Sequence, residues 1–321
     1  MPKLQHKIRI GITMGDPSGI GPAIIYKTLY KLEGLAEFVV IGDKWVFNRV
    51  RGTGCGAQGF KFIDLDNVPH KNFSFGKIKA EYGRASIGYL NKAIGLIKNK
   101  EIDCLVTCPV SKEAINLGGL YGFLGHTEYL AGHTNTKNFV MMLLNKKLKF
   151  SLVTRHIPLK DISLELNREK ICQTILLTYQ SLKKIFLIKE PRLVVCGLNP
   201  HASDNGLIGN EENKIIKPAI DSLRRIGRID GPLPADTAVL KTAQKEYDCV
   251  IAMYHDQALI PLKITDAYTG VNITLGFNFI RTSALHGTAF NIAKNFNLIN
   301  PAPLTEAVRL AVKCTLNQKR A

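Results

Sequence analysis

Three histidines carry the clearest chemical signal in this chain. His255 stands in Met253-Tyr-His-Asp-Gln257, directly after an apolar run at 249–253 that reads as a buried strand. His156 follows a short apolar run at 151–154, and His201 closes Gly197-Leu-Asn-Pro-His201 after another at 192–196. The strand ends of parallel sheets are where α/β proteins place their ligands. Neutral imidazoles suit zinc and related divalent ions, and three of them leave positions open for a substrate. Residue type and placement therefore point to one metal site. The plainer alternative is three histidines that only hydrogen-bond at the surface. Their separations are long and no His-Glu-x-x-His spacing joins them, so spacing by itself leaves both readings standing. Asp256 reads as a hydrogen-bonding support for a neighbouring histidine, whereas Asp236 reads equally as such a support and as a proton acceptor. Downstream, Lys263, Asn272 and Arg281 supply two cations and an amide, a set suited to an anionic ester. The alternative for Lys263 and Arg281 is solvated surface charge.

These residues need elements to hold them. Residues 8–14 read as a strand that runs into the turn Gly15-Asp-Pro-Ser-Gly-Ile-Gly-Pro22, with a helix over 22–31. Proline fits the first helical turn, where its missing N–H costs nothing. The turn is not Gly-x-Gly-x-x-Gly, and no Gly-Lys-Ser/Thr follows, so neither the dinucleotide fingerprint nor the P-loop is supported. It reads as a tight strand-to-helix turn or as a ligand loop. Strands are expected at 38–41, 60–64 and 102–107, and Ile87, Leu90, Ile94 and Ile97 make a helical stripe over 86–99. A short helix begins after the loop at 121–125. Apolar runs at 139–144 and 148–153 flank Asn145-Lys-Lys147 and read as a hairpin, the mark of a second lobe. Further helices are expected over 167–184, 211–226 with Gly227 at its end, 236–246, 289–296 and 304–316. Alternating strands and helices predict a three-layer α/β/α fold in two lobes with largely parallel strands.

The chain has 321 residues, 45% of them hydrophobic and 21% charged, as in a globular protein of two ordinary lobes. No apolar stretch approaches the ~20 residues that span a bilayer, and Met1-Pro-Lys-Leu-Gln-His-Lys7 lacks the apolar core of a secretory signal. A cytoplasmic protein without a membrane partner is expected. The cysteines number 7, an odd count, and most sit in apolar runs, which suits buried thiols better than a disulfide framework. The formal net charge is +17. The lysines are scattered, with no basic tail, which describes a solvated surface or a field that attracts small anionic substrates. A basic nucleic-acid-binding or scaffold protein with incidental histidines is the contrasting class. Phosphate contacts would give it a steep salt dependence. No nucleic-acid partner is expected.

Several stretches together resemble one family, 4-hydroxythreonine-4-phosphate dehydrogenase of pyridoxal-phosphate biosynthesis. They are Gly11-Ile-Thr-Met-Gly-Asp-Pro-Ser-Gly-Ile-Gly-Pro22, Gly125-His-Thr-Glu128, Thr154-Arg-His-Ile-Pro158, Leu198-Asn-Pro-His-Ala202 and Gly231-Pro-Leu-Pro-Ala-Asp-Thr237. Tyr254-His-Asp-Gln257, Gly270-Val-Asn-Ile-Thr-Leu-Gly276, Arg281-Thr-Ser283 and His286-Gly-Thr-Ala289 complete the set. Each is weak alone; in order along the chain they are specific.

The resemblance implies an isocitrate/isopropylmalate-dehydrogenase-like architecture. The first lobe would be 1–125 with 276–321, carrying the nucleotide loop. The second would be 126–275, carrying metal ligands and dimer contacts. It implies a homodimer with shared active sites and one divalent cation (zinc, magnesium or cobalt) on His156, His201 and His255. Substrate contacts would fall to His126, Thr127, Lys263, Asn272 and Arg281, and proton handling to Asp236 and Lys263. NAD or NADP would lie on a loop at His286, Gly287, Thr288 and Ala289. The implied reaction oxidises 4-phosphooxy-threonine to a β-keto acid that loses carbon dioxide to give 3-amino-2-oxopropyl phosphate. A paralogue acting on 4-phospho-threonate or 4-phospho-erythronate is the alternative. Two departures fall by the nucleotide loop. Leu285 stands where the family commonly has aspartate, and Lys294 where glycine commonly follows the Asp-Ile-Ala stretch, here Asn291-Ile-Ala. Both bear on cofactor affinity and on the choice between NAD and NADP.

Overall fold

The protein is described by a computed structural model that covers residues 7–50 and 59–320. Residues 1–6, part of the N-terminal stretch read above for a signal, lie outside it. Among the described residues there are eleven strands: β1 Arg9–Thr13, β2 Glu37–Gly42, β3 Phe60–Asp64, β4 Cys104–Thr107, β5 Val140–Leu144, β6 Lys149–Leu152, β7 Arg192–Cys196, β8 Arg228–Leu233, β9 Cys249–Ala252, β10 Val271–Leu275 and β11 Ile280–Ala284. The chain divides into two compact units. One is Met1–Lys137 with Phe277–Lys319; the other is Asn138–Gly276 with the last two residues.

In the first unit the strand order is β3-β2-β1-β4-β11, all parallel. Parallel strands buried on both faces read as continuous apolar runs. β1 and β2 do so, with Ile10, Ile12, Val40 and Ile41 all fully buried. Helices Gly21–Lys31, Ala80–Lys98 and Ala302–Arg320 connect and close this unit. Because the strands are parallel, Thr13, Gly42, Thr107 and Ala284 end β1, β2, β4 and β11 on one edge.

In the second unit the order is β10-β5-β6-β9-β7-β8. β5 pairs antiparallel with β10 and with β6, while β6, β9, β7 and β8 run parallel. The hairpin is the one expected. Asn145 Oδ1 accepts the Lys147 and Leu148 amides at 2.8 Å, which closes its turn. The helix Arg168–Lys184 is capped by Asn167, whose side chain accepts the Lys170 amide. Among the described residues no helix is long and apolar enough to cross a membrane.

Four elements differ from expectation. Residues 289–296 form no helix. They run through successive turns, with Ala289 at φ 46° and bonds from Ile292 to Ala289 and from Asn295 to Ile292. Asn291 and Asn295 offer the backbone alternatives to a helix. The helix over 211–226 breaks into a π-turn Glu212–Ile216, an α-segment Lys217–Leu223 and a 3-10 end Arg224–Ile226. β8 went unread because Gly231 and Pro232 punctuate it; it is an edge strand, where proline is tolerated. The segment after His255 is a helix, His255–Asp266, with Pro261 inside it. Lys263 therefore lies on this helix.

Candidate active site

The three histidines all fall on one edge of the second unit. β6, β9 and β7 are parallel neighbours, and His156, His255 and His201 follow their C-terminal ends. The His156 and His255 rings lie 5.8 Å apart between centroids. Asp256 Oδ1 is 2.6 Å from His255 Nδ1, the supporting role expected of it, and leaves Nε2 as the nitrogen for a ligand. Arg155, His156, Leu159, Tyr254, His255 and Asp256 line a cleft of about 210 Å³. Two imidazoles with an orienting carboxylate fit a divalent ion. The third ligand is not brought to them within one chain. Among the described residues no group of three or more His, Cys, Asp or Glu is placed to hold a metal ion.

His201 instead opens a strained segment. Residues His201, Ala202, Ser203, Asp204 and Asn205 all take left-handed conformations, with φ of 54°, 52°, 71°, 43° and 57°. Each costs roughly 1–2 kcal/mol in a residue with a Cβ. Glu212 holds the base of this loop. It is 1% exposed, and its Oε1 accepts the Leu198 and Asn199 amides at 2.8 Å. Asn199 Nδ2 donates to Glu212 Oε2 at 2.9 Å. Gln257 joins the ends of β9 and β7, accepting the Met253 amide at 2.8 Å and donating to the Gly197 carbonyl at 2.9 Å. Asp236 is exposed in the first turn of Ala235–Ala243, near Cys196; burial, and to a lesser degree this carboxylate, push the Cys196 thiol up to about 12. Asn272 lies within β10 opposite Leu143, its Oδ1 buried and unpartnered. Lys263 is exposed.

The first unit holds a second constellation. Arg281, the second residue of β11, is 2% exposed. Its Nη2 donates to Thr107 Oγ1 at 2.6 Å and its Nη1 to Thr127 Oγ1 at 3.4 Å. Burial pulls its pKa down to about 10, with the Glu128 charge acting the other way, so it remains a cation at neutral pH. His126 opens the helix His126–His133, and its Nε2 is buried without a partner. Burial, assisted by the Arg281 charge, holds its pKa well below the usual histidine range, so the ring is neutral.

The glycine-rich turn lies on the same strand edge of this unit. Gly15, at φ 72°, has the Pro109 carbonyl oxygen 2.3 Å from where a Cβ would stand, which excludes any side chain. Asp16 Oδ1 accepts the Ser18 amide at 2.9 Å while Oδ2 is buried and unpartnered. Burial raises its pKa to about 6. The Ile20 amide donates to the Thr288 carbonyl at 3.0 Å, so the turn carries the loop 286–289. In that loop His286 Nε2 is buried without a partner, and nothing stands within 4 Å of where a Gly287 side chain would begin. An orphaned ring nitrogen and an open backbone fit a nucleotide that approaches the chain closely.

Parallel strands that carry the turn and the histidines at their C-terminal ends, with the Arg281 guanidinium reaching Thr107 at the end of β4, define an α/β fold of the isocitrate dehydrogenase kind. The isocitrate dehydrogenase of Methylococcus capsulatus shares it, with TM-score 0.53 at 11% identity over 97% of this chain and 87% of that one. The family described as pyridoxal phosphate biosynthetic protein PdxA matches residues 34–311, and the chain belongs to it. It is 42% identical over 318 residues, 95% of this chain and 98% of the relative, to a 4-hydroxythreonine-4-phosphate dehydrogenase of Sulfurihydrogenibium sp. (strain YO3AOP1). It is 40% identical over 321 residues, 94% of this chain and 95% of the relative, to a D-threonate 4-phosphate dehydrogenase of Cupriavidus necator. The crystal structure of a 4-hydroxythreonine-4-phosphate dehydrogenase from Klebsiella pneumoniae superposes with TM-score 0.84 at 35% identity, covering 96% of this chain and 99% of that one.

Sequence reasoning passed over Thr107, Asp16 and Glu212. Thr107 ends a strand as many threonines do, and Glu212 sits in the polar run Asn210-Glu-Glu-Asn213 with nothing to separate it from surface. Asp16 alone carried a signal, an acid inside a glycine-rich turn.

Proposed function

We propose that this protein is a nicotinamide-linked dehydrogenase of a phosphorylated 3-hydroxy acid, 4-phosphooxy-threonine in the first instance, working in pyridoxal phosphate biosynthesis. Family membership supports the reaction class. The observation that carries the substrate class is the buried Arg281 beside neutral His126 and the Thr127 hydroxyl. A cation withdrawn from water and set among hydroxyl groups suits a phosphate or carboxylate, which restores the charge balance that water no longer supplies.

In the reaction the substrate's C3 alcohol gives up its hydroxyl proton, and hydride leaves C3 for the nicotinamide ring. The C1–C2 bond of the resulting β-keto acid then breaks. Carbon dioxide departs, and the electron pair is held as an enol until C2 takes a proton. Arg281, His126 and Thr127 bind and orient the anionic ester. Lys263 and Asn272 add a cation and an amide, and Asp236 or Lys263 handles the proton. His156, His201 and His255 would hold a divalent ion, which supplies a Lewis acid for the alcohol and ketone oxygens. Because His201 does not join the other two within one chain, ligation shared across a homodimer is the arrangement we favour. Ile260 and Ile264, 57% and 80% exposed one helical turn apart, give the second unit an apolar surface suited to a second subunit.

D-threonate 4-phosphate is the second reading, favoured by the 40% identical Cupriavidus relative. It differs at C2, hydroxyl in place of amine. Initial rates of nicotinamide reduction with 4-phosphooxy-threonine, D-threonate 4-phosphate and their dephosphorylated forms test both readings. Turnover of the phosphorylated compounds far above any residual turnover of the dephosphorylated forms is expected, and the preferred one of the two names the substrate. Equal use of dephosphorylated compounds contradicts the proposal.

A further inference from the structure

We infer that Arg49 and Lys294 select NADP over NAD by binding the 2′-phosphate of its adenosine. The inference rests on the nicotinamide reading above and deepens it. In the first unit Arg49, Phe73, Ser74, Phe75, Lys294 and Phe296 line a pocket of about 400 Å³. Its walls are a run of aromatic edges. Phe73 meets Phe75 at 5.0 Å and Phe75 meets Phe296 at 5.5 Å, both edge to face. Trp45 packs on Phe73 at 5.0 Å, and the Arg49 guanidinium lies 5.6 Å from the Trp45 ring and 5.7 Å from the Phe73 ring. The far wall is pinned, because Lys27 Nζ donates to the carbonyls of Phe296 and Ile299 at 2.6 and 2.9 Å.

Among the described residues the lining holds two cations and no carboxylate. Aromatic edges accept a flat base, and paired cations accept a dianion. A phosphate monoester of a purine nucleoside offers both at once. The pocket is also tied to the loop 286–289. The Gly76 amide, next to Phe75, donates to the Ser18 carbonyl at 2.7 Å, and the Ile20 amide donates to Thr288. The Phe290 carbonyl oxygen lies 2.6 Å from where a Gly76 Cβ would stand. A dinucleotide running along 286–289 therefore meets Lys294 and Arg49 at one end. NAD and NADP differ only in the 2′-phosphate, so two cations there discriminate between them.

Trp45 is the single tryptophan of the chain and borders this pocket, so its fluorescence reports occupancy without turnover. Titrations of the full-length protein with NADP, NAD and adenosine 2′,5′-bisphosphate, repeated by calorimetry, test the inference. NADP is expected to bind at least about tenfold more tightly than NAD, with the bisphosphate competing. Arg49→Ala and Lys294→Gly should each weaken NADP by about tenfold or more and leave NAD within about twofold, which also certifies their folds. Equal affinity for NAD and NADP overturns this inference alone, as does a preference unchanged in both variants. Failure of either dinucleotide to bind overturns the nicotinamide reading as well.

Discussion

Arg281 is a cation with almost no access to water, held by two threonine hydroxyls beside a neutral histidine. Removing it takes away a charge-assisted contact with an anionic ester, which typically amounts to about 1.5–3 kcal/mol, or roughly ten- to 150-fold in kcat/KM. Arg281→Ala is expected to lose that much with the phosphorylated substrate and to change residual turnover of its dephosphorylated analogue little. Equal losses on both would remove the phosphate assignment. Asp16 shows the opposite electrostatics. Burial lifts its pKa from an ordinary 3.8 to about 6, so the folded state holds its proton more tightly than the unfolded chain. Its stabilising contribution is complete below about pH 4 and is lost as pH rises through 6. Asp16→Asn keeps the acceptor for the Ser18 amide and abolishes the charge. It should therefore stabilise the fold above pH 7 by on the order of 1–3 kcal/mol, a gain that shrinks toward pH 4. Urea unfolding midpoints across that range check the sign; a gain independent of pH would refute it.

At the scale of elements, the turn 15–20 and the loops after β6, β7 and β9 bring the chemistry to strand ends. The His201 loop is the most demanding, with five consecutive left-handed residues resting on one buried carboxylate. Glu212→Ala leaves the Leu198 and Asn199 amides without their acceptor, at about 1–3 kcal/mol each. Hydrogen exchange at those amides should accelerate by about tenfold or more, and retained divalent metal should fall with it. Unchanged exchange would show that the loop stands without Glu212. The hairpin about Asn145 and the capped helix Arg168–Lys184 were legible in the sequence because their signals are local: an Asx turn, an N-cap, a 3.6-residue stripe. The three histidines were legible as strand-end residues. Their arrangement was not, because β6, β9 and β7 become neighbours only through long-range pairing. Nor was the left-handed run, since none of its five residues is glycine. The helix expected over 289–296 failed because its apolar residues serve successive turns, in which Ala293 is buried while Ala289, Phe290, Ile292 and Phe296 stay half-buried.

At the scale of the whole molecule, the two units divide the chemistry. The buried cation and the loop 286–289 belong to the first; the histidines, Asp236, Asn272 and Lys263 belong to the second. A ligand set completed by a partner subunit makes a definite prediction. His156→Ala and His201→Ala proteins, each inactive alone, should regain part of the activity after subunit exchange, because one site of the mixed dimer then has His156 and His255 from one subunit and His201 from the other. An active monomer by sedimentation would contradict shared ligation. The central claim, that this chain oxidises a phosphorylated 3-hydroxy acid whose keto product then loses its carboxylate, is met most directly by one record. Absorbance of reduced nicotinamide and release of carbon dioxide are followed together in metal-replete protein given 4-phosphooxy-threonine or D-threonate 4-phosphate. One carbon dioxide is expected for each nicotinamide reduced with the preferred substrate. Reduced nicotinamide accumulating without carbon dioxide, or no reduction with either compound, would contradict it.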